Sequence, residues 1–345
     1  PEGYTVVNVV DLESYVKGVI PSEVPSSYGM EALKAQAVCA RSYAYIQMMH
    51  NKYEAYGAHV DDSVNFQVYN KQNQTPETVA AVDETKGQVL SYKGDIIETY
   101  YYSTSYGHTG DYEAWNLDKD AYGYLQGVWV RSEENPIDLS DEKSFLDYIS
   151  NVDSACYESD LKYFRWNTVL DFQGKDETLL HTIADRKEHQ PEAISYYKDA
   201  SKTEKTDSCS NFGSLQAIKV VKRNQSGVIL ELELDFQNGA VSVQSEYNMR
   251  AILGCGITNI NLLDGSSVEM SILPSAYISI QAKGDGTYAV LGGGYGHGIG
   301  MSQNGAQKLC GQGFDYKRIL NYFYQDTELT ELYQPQNVTK EEGGA

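Results

Sequence analysis

The chain has 345 residues, 41% of them hydrophobic and 22% charged, a composition that suits one large globular domain or two smaller ones. Its 48 acidic and 27 basic residues give a formal charge of −21, and a field of that sign argues against nucleic acid or anionic lipid as partners. The sequence contains no apolar run of about eighteen residues, so it also predicts no membrane-spanning helix.

The N-terminal segment favours a strand followed by a helix. PEGYTVVNVV has no charged stretch followed by an apolar one, so we expect no signal peptide and a fragment trimmed from a longer precursor. Residues 5–10 are predicted to form a short strand. Asp11 is then a suitable N-cap for a helix whose apolar residues recur at i, i+3, i+4 and i+7, and we expect Pro21 to end that helix.

Glu23 follows in the loop 21–27, where Pro21 and Pro25 restrict the backbone on either side of it. A second helix is predicted from about residue 29 to residue 50, with a narrow stripe of small apolar residues that allows close packing. We therefore expect both helices in the core, with Glu23 on the rigid connection between them.

The rest of the chain mixes helices with hairpin strands. This predicts an α+β fold with mixed, largely antiparallel sheets, a helical layer and an inserted helical accessory region. Lys93-Gly94-Asp95 is a hairpin signal. The predicted elements are an extended segment at 60–72, a helix at 76–86 capped by Thr75, a hairpin of 88–92 and 96–102, strands at 214–222, 227–236 and 240–245, and helices at 247–253, 302–310 and 316–324.

A polar stretch in the middle of the chain suggests the domain organisation. It is rich in charged residues and contains helical patterns, so we interpret it as an insertion. The predicted parts are a first core part at 1–134, an inserted or accessory region at 135–210, a second core part at 211–333 and a disordered tail at 334–345.

Tyrosine and cysteine usage narrows the class of protein. The 29 tyrosines, against 8 phenylalanines and 3 tryptophans, combine apolar faces with polar tips that suit sugar-like ligands, although strand formation explains the same excess. The five cysteines contain no CxxC pair, so neither a zinc ribbon nor a dense disulfide framework is predicted. Cys156 and Cys209 would be able to pair if the protein is exported.

Glu23 is the first candidate for chemistry. Val24 and the two prolines beside it tend to desolvate a carboxyl group, and desolvation keeps a glutamate protonated long enough to act as a general acid. The alternative is an ordinary solvated loop glutamate, which is the commoner role of such a residue.

The second candidate is the glycine-rich segment GGGYGHGIGMSQ at 292–303, with His297 at its centre. Its glycines allow the backbone to approach a ligand closely, and it opens a helix for which Ser302 is a suitable N-cap. It is not a nucleotide-binding GxGxxG, because no βαβ unit or acidic residue follows as that motif requires. A tight turn around a packed histidine explains the same pattern, and both interpretations stay open.

His108 lies in STSYGHT at 103–109. It would be able to share a metal or a substrate hydroxyl with His297, but two histidines far apart in the sequence do not define a site. A Ser–His hydrolase triad is not supported, because the chain has no GxSxG elbow and no clear Asp partner.

Taken together, these segments resemble the SpoIID/LytB family, which comprises stage II sporulation protein D and the amidase-enhancer-like proteins. The resemblance covers most of the chain and is weak between about 135 and 210. It lies in LESYVKGVIPSEVPSSYGMEALKAQAVCARSYAYIQ at 12–47, NFQVYN at 65–70, VDETKGQVLSYKGDIIETYYYSTSYGHT at 82–109 and GGGYGHGIGMSQNGAQKLCGQGFDYKRILNYFYQDTEL at 292–329.

This resemblance implies a peptidoglycan lytic transglycosylase, with Glu23 as its acid and base. Such enzymes cleave between N-acetylmuramic acid and N-acetylglucosamine and leave 1,6-anhydro ends. One carboxyl group is enough, because the 6-hydroxyl of the muramic acid itself is the nucleophile. We expect an extracytoplasmic protein of the cell wall or forespore space, secreted or held by an N-terminal anchor that lies outside this sequence.

The resemblance also implies a substrate groove. Arg41 is equally suited to a buried ion pair, and Tyr69 to the core. Some members carry a cysteine, at the position of Ser105, that contributes to a zinc site; its replacement here predicts no metal and no other cofactor, with a zinc site on His108 as the open alternative. The substrate-binding candidates are Gln36, Arg41, Tyr69, Tyr101, Ser103, His108, His297, Ser302 and Gln303.

Three functional hypotheses follow, the first being the transglycosylase. Its partners would be peptidoglycan glycan strands and, beyond them, other wall hydrolases or sporulation proteins. The second is a non-catalytic wall-binding or amidase-enhancing protein, because the LytB branch carries the same motifs. The third is a metal-dependent hydrolase built on His108 and His297.

Overall fold

A computed structural model describes residues 5–63, 66–69, 73–132 and 136–333. The chain forms two compact units, the first from residues 1–99, 314–321 and 326–345 and the second from residues 100–313 and 322–325. Helices and mostly antiparallel sheets mix along the described residues, so the predicted α+β class is confirmed.

The first unit combines a helical layer with a small sheet. Its elements are α1 (Leu12–Glu23), α2 (Met30–His50), α3 (Pro76–Glu84), β1 (Gln88–Tyr92), β2 (Asp95–Ile96), β15 (Glu328–Glu331) and the first part of α9 (Tyr316–Phe323). The three helices pack through buried apolar side chains that include Val19, Leu33 and Val82. The strands follow the order β15-β1-β2 and pair antiparallel.

The second unit contains most of the strands. Its elements are β3 (Tyr101–Tyr102), α4 (Lys119–Tyr122), α5 (Glu142–Ile149), β4 (Trp166–Asp171), α6 (Asp176–His189), β5 (Ile194–Tyr197), β6 (Lys205–Thr206), β7 (Leu215–Arg223), β8 (Ile229–Phe236), β9 (Gly239–Val243), α7 (Glu246–Gly254), β10 (Ile260–Leu262), β11 (Ser267–Val268), β12 (Ile278–Ala282), β13 (Thr287–Gly292), β14 (Met301–Ser302) and α8 (Gln303–Gly311). Two antiparallel sheets follow the orders β11-β10-β4-β13-β12 and β6-β5-β9-β8-β7, and β3 pairs in parallel with β14. Leu170, Leu232 and Val290 belong to their shared apolar core.

Local capping and turn signals work as predicted. The Asp11 side chain accepts the N–H of Ser14 at 3.0 Å, and Thr75 forms a capping box at the start of α3. Between β1 and β2, Lys93 and Gly94 have φ angles of 52° and 92°, the positive values that a two-residue type I′ turn needs.

The strand predicted at residues 5–10 is wrong. Within the described part of the chain these residues form no sheet pairing, and Val6 and Val9 are 91% and 89% exposed. A strand is stabilised by its neighbours in a sheet, so an apolar run alone does not establish one.

The end predicted for α1 is also wrong, because Pro21 lies inside the helix, which continues to Glu23. A proline donates no backbone hydrogen bond, and its ring crowds the preceding turn. Here the Ser22 hydroxyl donates to the carbonyl of Gly18 at 3.0 Å, and the N–H of Val24 donates to the carbonyl of Ile20 at 3.0 Å. These two bonds keep the last turn helical beyond the proline.

Residues 135–210 do not form a compact unit of their own. β4 lies between β10 and β13, and β5 pairs with β9, so both strands belong to sheets completed by later residues. Pairing between residues distant in the sequence therefore sets the unit boundary at 99/100, whereas the prediction placed a boundary at 134/135. An accessory role for 135–210 stays a prediction.

Further expectations concern the thiols and the ends of the chain. All five cysteines are free, so Cys156 and Cys209 do not pair. Part of the extended segment 60–72 and the whole tail 334–345 lie outside the described residues. None of the described helices combines the length and apolar character that a membrane crossing demands.

Candidate functional site

Glu23 is the last residue of α1, where it is half-buried and followed by the buried Val24. Its Oε1 accepts a hydrogen bond from the backbone N–H of Val68 at 2.8 Å. The direction of the carboxyl group therefore depends on the segment 66–69 as well as on the helix. This tertiary contact takes the place of the rigid loop that the two prolines predicted.

Two side chains hold the segment 66–69 against α1 and α2. Gln67 Nε2 donates to the carbonyl of Ala40 at 3.2 Å, and Gln67 Oε1 accepts from the Tyr15 hydroxyl at 3.2 Å. Tyr69 stacks on Tyr15, with ring centroids 5.7 Å apart and planes at 11°. Val68 is thus placed between two anchored neighbours, and its N–H points at Glu23.

Gly18 makes room for the Tyr69 ring on α1. A Cβ atom at residue 18 would lie 2.4 Å from a carbon of that ring, well inside van der Waals contact. A helix-interior glycine is unfavourable by about 1 kcal/mol relative to alanine, so its presence here is best explained by this close approach.

The tyrosine hydroxyls near Glu23 are neutral over the ordinary pH range. Burial raises the pKa of Tyr15, and Tyr43 and the Glu23 carboxyl raise it further. Burial, with a smaller contribution from Glu98, raises the pKa of Tyr43 to about 12. Neutral phenols and flat ring faces near one carboxyl group suit a polyhydroxylated ligand.

Arg41 is completely buried and its guanidinium is paired within the protein. Nε and Nη2 lie 2.9 and 2.8 Å from the two carboxylate oxygens of Glu13, and Nη1 donates to the carbonyl of Gln88 at 3.0 Å. This geometry favours the structural ion pair over a contact with substrate, an alternative that the sequence had left open.

Gln36 and Tyr69 complete the predicted residues of the first unit. Gln36 is 1% exposed, and neither atom of its carboxamide has a hydrogen-bond partner among the described residues. Tyr69 is half-buried and packs against the apolar cluster of the helices. Substrate contact by either residue stays a prediction.

The other predicted residues lie in the second unit, where β3 and β14 bring most of them together. Tyr101 and Ser103 are half-buried, whereas Ser302 and Gln303 are buried. The Ser302 hydroxyl accepts the N–H of Gly305 at 3.1 Å, which confirms it as the N-cap of α8.

The glycine-rich segment is packed against residues 100–110. Gly300 has a φ of 78°, and a Cβ there would lie 2.1 Å from the carbonyl oxygen of Tyr100. Backbone bonds join the N–H of Met301 to the same carbonyl at 3.1 Å and the N–H of Gly110 to the carbonyl of Gly298 at 2.6 Å. The close backbone approach that the glycines predicted is made here to the protein itself.

His297 uses both ring nitrogens inside the protein. Nε2 lies 2.8 Å from the carbonyl oxygen of Tyr101, and Nδ1 accepts the N–H of Ile299 at 3.1 Å. The pair assigns the proton to Nε2. Burial lowers the pKa of His297 to about 4, so the ring is neutral near pH 7. This arrangement favours the packed histidine, and a substrate contact stays a prediction.

His108 makes its contacts within the protein. His108 Nδ1 lies 2.6 Å from the carbonyl oxygen of Thr109, and burial, aided by the charge of Arg131, lowers the pKa of the ring to about 4. The Ser105 hydroxyl donates to Glu158. Over the described ranges, no three His, Cys, Asp or Glu side chains gather as metal ligands would.

Glu158 is a buried carboxyl group that the sequence did not single out. Its Oε1 accepts the N–H of Ser105 at 3.0 Å and the hydroxyl of Ser302 at 2.8 Å, and its Oε2 accepts the Ser105 hydroxyl. Burial raises the pKa of Glu158 to about 7, although these donors act in the opposite direction. No motif surrounds Glu158, because its partners come from distant segments.

Comparisons with known proteins agree with the motifs. The stage II sporulation protein model, SpoIID, matches residues 1–92, and a domain of unknown function (DUF8618) matches residues 186–300. The amidase enhancer of Bacillus subtilis is 29% identical over 329 residues, which cover 91% of this chain and 40% of that protein. Stage II sporulation protein D of Bacillus subtilis is 26% identical over 340 residues, covering 94% of this chain and 76% of that protein.

An uncharacterized protein of Brachyspira hyodysenteriae is 27% identical over 327 residues, 94% of this chain and 68% of that protein. The chain thus spans less than half of the amidase enhancer but about three quarters of sporulation protein D. The family model lies on the residues that contain Glu23, and relatives named for sporulation and amidase enhancement align along nearly the whole chain, so the predicted resemblance to the SpoIID/LytB family is confirmed.

Proposed function

We propose that this chain is a peptidoglycan lytic transglycosylase that uses Glu23 as its single acid and base. The observation that carries the proposal is a half-buried carboxyl group oriented by the Val68 N–H, with stacked tyrosines nearby. The SpoIID match includes this site, and relatives named for sporulation and amidase enhancement support a role at the cell wall.

In this mechanism the Glu23 carboxylic acid protonates the oxygen that bridges N-acetylmuramic acid and N-acetylglucosamine. The glycosidic bond breaks as an oxocarbenium-like centre develops, and the 6-hydroxyl of the muramic acid attacks that centre. Glu23, now a carboxylate, takes the hydroxyl proton and returns to its acid form. An intramolecular nucleophile needs neither a second carboxylate nor a bound water.

The environment of Glu23 supports such a double role. Partial burial favours the acid form of a carboxyl group, whereas the Val68 N–H favours the carboxylate. An acid that must also act as a base is most effective when neither form is strongly preferred. The Val68 contact also keeps the carboxyl group in one direction during both proton transfers.

The proposed substrate and setting follow from the same chemistry. The substrate is the glycan strand of peptidoglycan, and other wall hydrolases or sporulation proteins are its proposed partners. The proposed location is extracytoplasmic, at the cell wall or forespore space, by secretion or by an anchor.

The test is digestion of purified glycan strands, with and without stem peptides, followed by mass spectrometry. Wild type is expected to release fragments with 1,6-anhydro-muramic ends, and Glu23→Gln is expected to release none above background. Glu54→Gln, an exposed change in the same unit, is the matched control. A Glu23→Gln protein that digests as well as wild type contradicts the assignment.

A non-catalytic, amidase-enhancing protein is the second candidate, favoured by the amidase enhancer match along 91% of this chain. It predicts that wild type and Glu23→Gln bind glycan equally, that neither releases anhydro ends, and that both raise the rate of an added amidase. Sedimentation with wall sacculi and an amidase assay separate the two functions.

A further inference from the structure

Two buried arginines in this chain differ in what their Nε and Nη2 groups contact. Arg41 places Nε and Nη2 on the two oxygens of Glu13, at 2.9 and 2.8 Å, in a side-on pair. Arg131, in the second unit, is also buried, with 4% of its side chain exposed. Its Nε and Nη2 have no hydrogen-bond partner among the described residues.

The remaining contacts hold the Arg131 guanidinium in place. Its carbon lies 4.0 Å from the centre of the Trp129 ring, and Nη1 lies 3.1 Å from Asp153 Oδ2. The Tyr322 hydroxyl donates to the carbonyls of Trp129 at 2.6 Å and Arg131 at 3.4 Å, which fixes the backbone beneath the side chain. Stacking and one ion pair therefore present the Nε–Nη2 edge in a defined direction.

A buried charged donor without an acceptor is unfavourable, because its lost contact with water is not replaced. Such an edge recognises an acceptor with two coplanar oxygens, because its N–H groups are parallel and a fixed distance apart. The Arg41–Glu13 pair shows this match within the same chain.

We propose that the Nε–Nη2 edge of Arg131 binds a carboxylate group of a ligand. Carboxylate is favoured over a dianionic phosphate because Asp153 already supplies one negative charge to the same guanidinium and the whole chain is strongly acidic. The neighbouring imidazole of His108 is neutral near pH 7 and adds no competing positive charge. The contacts that define this edge lie within the second unit and do not include Glu23.

The carboxylate has two sources, a free small molecule or the C-terminus of a peptide. Acetate probes the first source, and a short peptide with a free C-terminus probes the second. The same peptide as its C-terminal amide is the matched control, since it keeps the side chains and loses the carboxylate. Inorganic phosphate tests whether the Nε–Nη2 edge discriminates between a carboxylate and a dianion.

The readout is the side-chain Nε–H signal of Arg131 in proton–nitrogen NMR spectra of the full chain, assigned with Arg131→Lys. Acetate is expected to shift it saturably, beyond the response to chloride at equal ionic strength. The Nε–H of Arg165 is the internal control and is expected to stay unchanged, because it is buried and donates to the carbonyl of Asn151 at 2.8 Å. This measurement on wild type does not depend on whether a variant folds.

Several results would overturn the proposal. Equal responses to acetate and chloride mean an adventitious ion only, and no response to acetate or to the peptide excludes the site. A response that appears only in Glu133→Gln/Glu134→Gln means that a carboxylate of the chain itself occupies the edge. Glycan digestion is not part of the readout, so its failure would leave this inference untouched.

Discussion

Glu23 and Glu158 are carboxyl groups buried to different degrees, and their surroundings suit different tasks. Glu23 is half-buried at a helix end, and Val68, whose N–H it accepts, precedes one of two stacked tyrosines. Glu158 is completely buried and accepts bonds from Ser105 and Ser302. A raised carboxyl pKa therefore indicates burial, whereas a catalytic site must also be reachable by a ligand.

The largest expected effect is a difference in activity between the variants of Glu23 and Glu158. Under the proposed mechanism, Glu23→Gln lowers the rate of anhydro-end formation by about 10²–10⁴-fold, the usual contribution of a general acid or base. Glu158→Gln is expected to retain activity wherever the protein stays folded. Initial rates from mass-spectrometric product counts check both, and a larger loss in Glu158→Gln would reverse the comparison.

The next effect is on stability as a function of pH. Burial raises the pKa of Glu158 from its ordinary 4.5 to about 7 in the folded protein, so its contribution to stability is fully present below pH 4.5 and is lost as the pH rises towards 7. The loss is about 3 kcal/mol at 1.4 kcal/mol per pKa unit. Urea unfolding at pH 5 and pH 8 is expected to show most of this loss, but not all of it, in the difference between wild type and Glu158→Gln, because the unfolded carboxyl group is already partly ionised at pH 5.

The comparison with Glu158→Gln is needed because His108 and His297 change the free energy of unfolding with pH in the opposite direction. Their pKa values are lowered to about 4, so their contribution is present above pH 6.5 and is lost as the pH falls. Glu188→Gln, the same change at an exposed residue of the second unit, is the control. A wild-type minus Glu158→Gln difference that does not vary with pH contradicts the assignment.

His297→Gln tests whether the glycine-rich segment is structural. Losing the bonds to the carbonyl of Tyr101 and the N–H of Ile299 is expected to lower the free energy of unfolding by about 2 kcal/mol. The exposed His189→Gln should change it little. If His297→Gln instead keeps its stability and loses glycan binding, the histidine contacts substrate.

Gly18→Ala is expected to give the smallest change in stability, about 1–2 kcal/mol, because the new Cβ displaces the Tyr69 ring. The displacement should move Val68 and reduce the rate of anhydro-end formation more than it weakens glycan binding. Gly311→Ala, where a Cβ meets nothing within 4 Å, is the matched helical control. Unchanged kinetics in Gly18→Ala would mean that the segment 66–69 does not orient Glu23.

Signals that act within a few residues predicted the fold well. Asp11, Thr75 and Ser302 cap helices as expected, and Lys93-Gly94 turns a hairpin. One failure is local, because α1 continues past Pro21 with the help of the Ser22 hydroxyl, and the other is the apolar run 5–10, which has no sheet partner within the described chain. The entry of the strands of 135–210 into sheets completed by later residues was not predicted at all. Pairing of this kind leaves no local pattern to detect.

The candidate site shows the same division. Glu23 was singled out from the sequence. A buried ion pair was one of two roles considered for Arg41, and its contact with Glu13 supports that role. The sequence did not indicate that Val68 would orient the carboxyl group, because a backbone N–H is present at nearly every residue. Glu158 and Arg131 were missed for a related reason, since neither lies in a recognisable motif.

The proline inside α1 makes the final turn of that helix mechanically distinct from the turns before it. Residue 21 contributes no amide hydrogen, so this turn relies on a serine hydroxyl and one backbone bond. One fewer backbone bond leaves this turn less firmly held than an uninterrupted helix end, so the direction of the Glu23 carboxyl group depends more on the bond from the Val68 N–H. A segment distant in the sequence thereby supplies the support that the proline removes from the helix.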